Sequence, residues 1–362
     1  MIPVAKPYIE EKEKEYVAQA VASGWVSSSG AFVDQFETQL AEYLGTAHVT
    51  STSNGTAALH LALLGLGIGP GDEVIVPATS FIATLNAIFY VGATPVFVDV
   101  ELKTWGIDSA KIEKKITEKT KAIIVVHLYG YSCMIHEVQA ITDKHDLFLI
   151  EDNAESLGAS ADGKKLGTIG TVGTYSFFGN KIITTGEGGA VSTDDTALME
   201  RITMYKNHGR KTNRNYDHQV LGYNYRMTNM QAALGVAQLE QIDMFLSERK
   251  KIENIYREQL ADNIIPQEDM PYAAHVNWFF SFRFKGSVDV PMVKKLLYEA
   301  GIDTRHIFSA MNTMPYLESF YQEQAFSHAN LLHAEGMSLP TYVGLTEEET
   351  TYICKTLRGA IT

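Results

Sequence analysis

Cysteine is nearly absent from these 362 residues: Cys133 and Cys354 are the two that occur. They lie far apart and outside any CxxC spacing, which argues against a disulfide framework and against a thiolate zinc or redox site. Positive charge is also scarce. Lys and Arg number 30 against 43 Asp and Glu, a formal charge of −13, and that balance disfavours nucleic acid and anionic membrane as partners unless a local patch reverses it. Unbroken apolar runs are missing. The most apolar stretch, residues 74–98, is interrupted by Pro77, Asn86, Gly92 and Pro95 and falls short of the ~20 apolar residues of a membrane span. The first residues, MIPVAKPYIEEKEKEYV, lack the basic start and apolar core of a secretion signal, so a cytoplasmic location is expected. No GxGxxG follows the first strand, which sets a dinucleotide-dependent oxidoreductase aside. No His/Asp/Glu cluster has ligand spacing, so no metal is expected.

What is present is a globular composition, 45% hydrophobic, long enough for a large unit and a smaller one. Residues 10–22 and 32–43 carry apolar side chains at helical spacing, with the loop SGWVSSSG between them. A buried helix AALHLALLGLG then feeds the strand EVIVP. The alternation continues through a helix at 82–90, the strand TPVFVDV, a helix at 109–116, the strand KAIIVVHLYG, a helix at 135–144 and the strand LFLIEDN. Such alternation predicts an α/β fold with a mainly parallel sheet covered on both faces. Two further strands, TYSFF and GAVST, flank the segment containing Lys181, which places that lysine in a loop. A helical region at 227–260, the strand SFRF and helices at 291–300 and 346–357 complete the chain. The division is expected near residue 250, with a large unit over 1–250 and a small one over 251–362.

Ligands of open α/β sheets bind beyond the carboxyl ends of the strands, and three such ends are Pro77, His127 and Glu151-Asp152. Asp152, closing an apolar strand, suits a helix cap, a structural role or a cationic ligand nitrogen equally well. Asn54-Gly55-Thr56 opens a helix whose free N–H groups and threonine hydroxyl suit a phosphate, although a plain capped helix reads the same way. Lys181 in a Gly/Thr-rich loop is by itself most simply a solvated charge. Together the three supply what pyridoxal 5'-phosphate (PLP) requires: an amine for its aldehyde, a carboxylate for its pyridine nitrogen and a helix N-terminus for its phosphate.

The segments "IEDNAESLG", "SFFGNKIITTGEGG" and "LGYNYRMTNMQAALG", with "SNGTAALHLAL", "GDEVIVP", "GATPVFVD" and "TKAI…VHLYG", resemble the motifs of the DegT-like sugar aminotransferases. The likeness runs from Trp25 to the C-terminus. It implies the fold-type I architecture of PLP enzymes, a large mainly parallel sheet unit followed by a smaller C-terminal α/β unit. It implies that Lys181 bonds to the cofactor and later shuttles the proton, and that Asp152 holds the pyridine nitrogen. Gly55, Thr56 and Ser176 match phosphate-binding positions, Phe81 matches an aromatic stacked on the ring, and Glu155 a polar residue reaching the phenolic oxygen. Asn224 matches a residue that a partner subunit supplies to the phosphate, which implies a homodimer with shared sites.

The reaction so implied moves an amino group from glutamate to the 4-keto carbon of a nucleotide-linked 4-keto-6-deoxy sugar, as in lipopolysaccharide O-antigen biosynthesis, with GDP-4-keto-6-deoxy-D-mannose the expected acceptor and UDP- or dTDP-linked sugars the alternatives. For the diphosphate the candidate is the basic island Lys206, Arg210, Lys211, Arg214 and Arg226; the Trp25 loop is a candidate for nucleoside or sugar contact, and the resemblance places the segment with Arg305 and His306 toward the sugar and nucleotide. Two departures from the family pattern stand out. Proline usually follows the arginine and a histidine lies shortly downstream, whereas this chain reads TRHIFSAMNTMPY with His306, Ser309 and Asn312; and Asn153 stands where a small residue is common. A PLP-dependent dehydratase is the first rival, but the relatives in question replace the lysine by histidine. A non-catalytic ligand-binding protein on the same fold is the second, and retention of Lys181, Asp152 and Thr56 argues against it.

Overall fold

Helix-to-strand alternation closes here into one large sheet. A computed structural model describes residues 1–211, 216–317 and 325–361, and the elements given are those of the described residues. Two amphipathic helices, α1 (Glu11–Ala22) and α2 (Ala31–Leu44), lead into strand β1 (His48–Thr52). The winding continues through α3 (Gly55–Gly65), β2 (Glu73–Pro77), α4 (Ala83–Tyr90), β3 (Thr94–Val98), the short α5 (Ser109–Ile112), β4 (Thr120–Val126), α6 (Ile135–His145) and β5 (Phe148–Asp152). After the small strands β6 (Ser160–Ala161) and β7 (Lys164–Lys165) come β8 (Val172–Ser176), β9 (Gly189–Thr193) and α7 (Thr196–Lys206). The large sheet has the order β1-β9-β8-β5-β4-β2-β3. Its β3, β2, β4, β5 and β8 pair in parallel, while β9 runs antiparallel to both neighbours. Ala122 to Val126 of β4 are all buried, as a strand covered on both faces must be.

The expected strands EVIVP and GAVST match β2 and β9 residue for residue. The strand placed at TYSFF lies two residues earlier. Ser176 ends it because the Phe177 N–H and carbonyl turn to Gly188 and Thr185, which starts the loop carrying Lys181. The helical region at 227–260 is two helices, α8 (Asn229–Leu239) and α9 (Ile242–Gln259). At the break, the Gln241 side-chain amide donates to the Ala237 carbonyl at 2.9 Å and to Glu13 at 2.6 Å. Strand β1 and helix α7 had no counterpart in the sequence reading. HVTST is too polar to read as a buried strand, yet its Ser51 and Thr52 are buried against β9.

The C-terminal part contributes β10 (Ile264–Pro266), β11 (Ala273–Ala274), β12 (Phe280–Phe284), α10 (Val290–Glu299), β13 (Arg305–His306) and β14 (Gly336–Leu339). A second sheet forms in the order β10-β12-β14-β13, and β11 joins β6 and β7 in a third. A second core gathers Tyr256, Phe280, Phe282, Phe284 and Leu297, whereas Trp278, Phe279 and Ile307 pack into the first, larger core.

Where α9 passes between the cores, Glu253 is buried and receives His275 at 2.9 Å and Arg257 at 2.6 Å, with Lys250 at 3.1 Å. Burial by itself would push this carboxyl up, but the three cationic or histidine partners outweigh it and bring it down to about 2. A carboxylate depressed on folding stabilises the protein above the carboxyl's unfolded value and loses that contribution as pH falls through the folded one. Glu253→Gln is therefore expected to flatten the acid limb of stability between about pH 4.5 and pH 2, removing a contribution on the order of 3 kcal/mol. Denaturant melts at stepped pH check this, and an unchanged acid limb would show that the network is neutral.

Candidate functional site

At the carboxyl ends of β2, β4, β5 and β8 the chain leaves a cavity of about 1060 Å³. Parallel pairing sets its floor: Val126 lies opposite Asp152, and Asp152 opposite Thr174. Because successive side chains of β5 alternate in direction, Glu151 and Asp152 serve opposite sides. Glu151 is fully buried and accepts the N–H groups of Gly167, Ile169 and Gly170 at 2.7, 2.8 and 2.6 Å, with His127 Nε2 at 3.0 Å. Asp152 lines the cavity.

Helix α3 points its N-terminus into the same space. The Asn54 side chain caps it by accepting the Ala57 N–H at 2.8 Å, and the Ala58 N–H goes to the Asn54 carbonyl. The N–H groups of Gly55 and Thr56 take no partner among the described residues, so the helix presents two free donors at its positive end. Gly55 packs against Ser176 so closely that a Cβ there would lie 2.7 Å from the Ser176 Cβ. Glycine at 55 thus brings Ser176, Gly55 and Thr56 into one cradle for an anion.

Lys181 reaches in from the loop after β8. Its Nζ stands 3.8 Å from Glu155 Oε1 and 3.8 Å from the centre of the Trp278 ring. Burial pushes this amine down, opposed by the charges of Glu155 and Asp152. Glu155 receives the Tyr129 N–H at 2.7 Å through its other oxygen, and burial pushes its carboxyl up to about 7 against the pull of Lys181. Burial also raises Asp152, opposed by a 2.7 Å hydrogen bond from the Thr84 hydroxyl and by the Ala154 N–H. Two reluctant carboxylates and one reluctant amine share the cavity, and each favours a ligand that restores its charge. Asn180 adds a buried Oδ1 without a hydrogen-bond partner.

Gly55, Thr56, Phe81, Asp152, Glu155, Ser176, Lys181, Arg305 and His306 all line this cavity. Phe81 stands at its edge, 55% exposed and 6.0 Å from the Phe308 ring. Trp25, Arg210, Asn224 and Arg226 lie outside the cavity of their own chain. Arg226 donates to Asn224 at 2.9 Å and contacts His208 at 3.2 Å; partial burial and then the nearby Arg210 push it down. Arg214 falls outside the described residues. Among the lining residues that escaped the sequence reading are Tyr129, Trp278 and Lys294. Lys294 on α10 joins Arg305 and His306, and its amine is pushed down by burial and then by Arg305. No local pattern marks these three, because each reaches the cavity through tertiary packing. Glu253, Asp269 and His275 cluster within 4.8 Å elsewhere, but Arg257 and Lys250 already pair with Glu253, so they read as an ion network.

With the geometry in place, comparison with known proteins is informative. The model of the DegT/DnrJ/EryC1/StrS aminotransferase family matches residues 7–358. GDP-perosamine synthase of Escherichia coli O157:H7 is 44% identical over 98% of this chain and 97% of its own, and the enzyme of that name from Vibrio cholerae is 39% identical over 99% of both. Among solved structures, the PLP form of Streptococcus pneumoniae Spr1654 superposes with a TM-score of 0.94 at 28% identity, over 99% of this chain and 98% of that one. Helicobacter pylori PseC, an aminotransferase of pseudoaminic acid biosynthesis, gives 0.94 at 26% identity over 99% of both.

The close approach at Gly55 makes a direct test. Gly55→Ala is expected to cost about 1–3 kcal/mol, the range for forcing volume into a packed contact, and to weaken capture of inorganic phosphate in a titration. A variant with wild-type stability and phosphate affinity would show that Ser176 yields freely.

Proposed function

This chain belongs to the DegT/DnrJ/EryC1/StrS aminotransferase family, and on that premise we propose that it is a PLP enzyme transferring an amino group from glutamate to the 4-keto carbon of GDP-4-keto-6-deoxy-D-mannose, giving GDP-perosamine. The identity of 39–44% to the three GDP-perosamine synthases supports the GDP-linked sugar over UDP- or dTDP-linked ones. The observation that carries the chemistry is Lys181 Nζ held in a cavity with Asp152, Glu155 and the free N-terminus of α3.

The residues fit the cofactor. Gly55, Thr56 and Ser176 would hold its phosphate, Asp152 its ring nitrogen, Glu155 its phenolic oxygen, Phe81 its ring face and Lys181 its aldehyde carbon. When bound, PLP supplies a carbonyl for amines and a protonated ring that takes up electron density. Lys181, whose charge burial disfavours, would as a neutral amine take a proton from the donor's α-carbon and return one to the acceptor in the second half of the cycle. Asp152 would favour a protonated ring nitrogen by its charge, and Thr84 fixes the carboxylate's orientation through the 2.7 Å bond. The apolar wall of Phe81, Phe178, Phe279 and Phe308 limits water around the exchanging proton.

A second copy completes this reading. Asn229 donates to the Trp25 carbonyl at 2.7 Å and accepts the Phe32 N–H at 3.0 Å, which ties the Trp25 loop to the start of α8 beside the segment bearing Asn224 and Arg226. Trp25 and Val26 in that loop, Met230 on α8 and Leu221 in the segment before Asn224 are all exposed apolar side chains, suited to a homodimer that delivers Asn224, Arg210 and Arg226 to the neighbouring cavity. The sugar's diphosphate is then received between those arginines and the wall of Lys294, Arg305 and His306. The cytoplasm is the proposed location. A division near residue 250 also fits the passage of α9, whose Phe245 packs in the first core and Ile252 in the second.

Adding PLP to purified protein is expected to give a visible absorption band that shifts with glutamate. Lys181→Ala should lose both the band's wild-type position and turnover while keeping its circular dichroism; substantial residual turnover would contradict the role of the lysine. For the diphosphate, Lys294→Met is expected to raise KM for the nucleotide sugar about 10- to 100-fold, the scale of a charge-assisted hydrogen bond, with KM for glutamate unchanged. An equal rise in both constants would move Lys294 to the donor's carboxylates.

A further inference from the structure

Beside Glu155, a second side chain close to the Lys181 amine belongs to a residue that no motif marked. Trp278 is buried, with its ring centre 3.8 Å from Nζ, well inside the ~6 Å at which a cation is attracted by an indole face. Its Nε1–H donates to the carbonyl of Asn180 at 2.6 Å, the residue immediately before the lysine. One side chain thus grips the backbone that carries Lys181 and faces the amine at its tip.

The indole is itself firmly held. Tyr129 accepts the Trp278 N–H through its carbonyl at 3.2 Å and stacks on the indole at 5.9 Å and 14°. Phe279 stacks on it at 4.1 Å. The buried Arg249 donates to the Trp278 carbonyl at 2.9 Å and to the Thr341 carbonyl at 2.9 Å, tying that backbone to the C-terminal sheet. Since the Tyr129 N–H also holds Glu155 at 2.7 Å, the two groups facing Nζ share one scaffold, and their spacing is set independently of the lysine.

We propose that Trp278 is a positioning residue for Lys181, holding the amine between its indole face and Glu155 and favouring the ammonium form without being able to take its proton. Glu155 can exchange a proton with Lys181; the indole cannot. In a cavity that penalises charge, the ammonium formed when Lys181 accepts a proton needs a partner that leaves the proton in place for the return step. An aromatic face meets that requirement and a second carboxylate does not. The groups facing Nζ are Glu155 and Asp152 by charge and Trp278 by its ring.

The test reads Lys181 directly, on the full chain without cofactor, by the pH dependence of its acylation followed by peptide mass spectrometry. Trp278→Leu is expected to lower the midpoint by about 0.4 to 1.5 pH units, the span of a cation over an indole. A midpoint unchanged or raised overturns the proposal. Trp278→Phe keeps a ring and drops the N–H, so its midpoint should stay closer to wild type while kcat falls with little change in either KM. If Trp278→Leu does not fold, Trp278→Phe decides, and wild-type kcat there overturns the proposal. The kcat arm rests on the aminotransferase reading; the acylation arm does not, and a wild-type protein that shows no visible band with PLP would sink that reading while leaving the acylation result standing.

Discussion

Desolvation of a single amine organises this molecule. Lys181 lies where burial works against its charge, and an ammonium isolated there would cost several kcal/mol. The walls answer that cost with groups of different kinds: Glu155, whose own carboxyl is pushed up to about 7, Asp152 at the end of a strand, and an indole face. None is a fully committed ion-pair partner, since Glu155 stands at 3.8 Å and not at contact distance. The result is an amine whose proton can be moved, in contrast to Glu253, where close cationic partners bring the carboxyl down to about 2. The same residue types yield a rigid strut in one place and an exchangeable proton in the other because the partners differ in number and distance.

That arrangement holds only if β5 stays in register. A slip of one residue would exchange the faces of Glu151 and Asp152, taking the carboxylate out of the cavity and leaving three N–H groups of the 167–170 loop unsatisfied. Glu151 therefore supports the site without touching it. Asn153 works in the same way: its side chain donates to the Glu151 carbonyl at 3.0 Å and accepts the Ser156 hydroxyl at 3.0 Å, and its N–H goes to Thr174. The departure from the family pattern at 153 fastens the turn that leads from Asp152 to Glu155.

The strands β2, β4 and β5 that end at the cavity were legible because they are apolar, short and bounded by turn residues; Asp152 was legible at such an end, Gly55-Thr56 as the start of a helix, and Lys181 in the loop between two strands. Trp278 was not, since its segment, HVNWFF, reads as core, and it stands 97 positions after Lys181 along the chain. Tyr129 and Lys294 were hidden for the same reason: their roles arise when the C-terminal part folds back over the sheet. The polar strand β1 shows the converse limit. Its Ser51 is satisfied by Glu37, through both N–H and hydroxyl, so hydrogen bonding carries a strand whose hydropathy gives no sign of it.

Residues 305–312 separate backbone constraint from specificity. His306 occupies a ladder position opposite Met337 on β13, which is the edge of its sheet, the kind of strand in which proline is found when its position needs no N–H. His306 lines the cavity, with its Nδ1 buried and unpaired, beside Lys294 and Arg305; Ser309 and Asn312 do not line it. Of the departures in that segment, His306 is the one placed to meet a ligand, and a ring nitrogen without a partner next to two cations suits an oxygen-rich anion better than an apolar group.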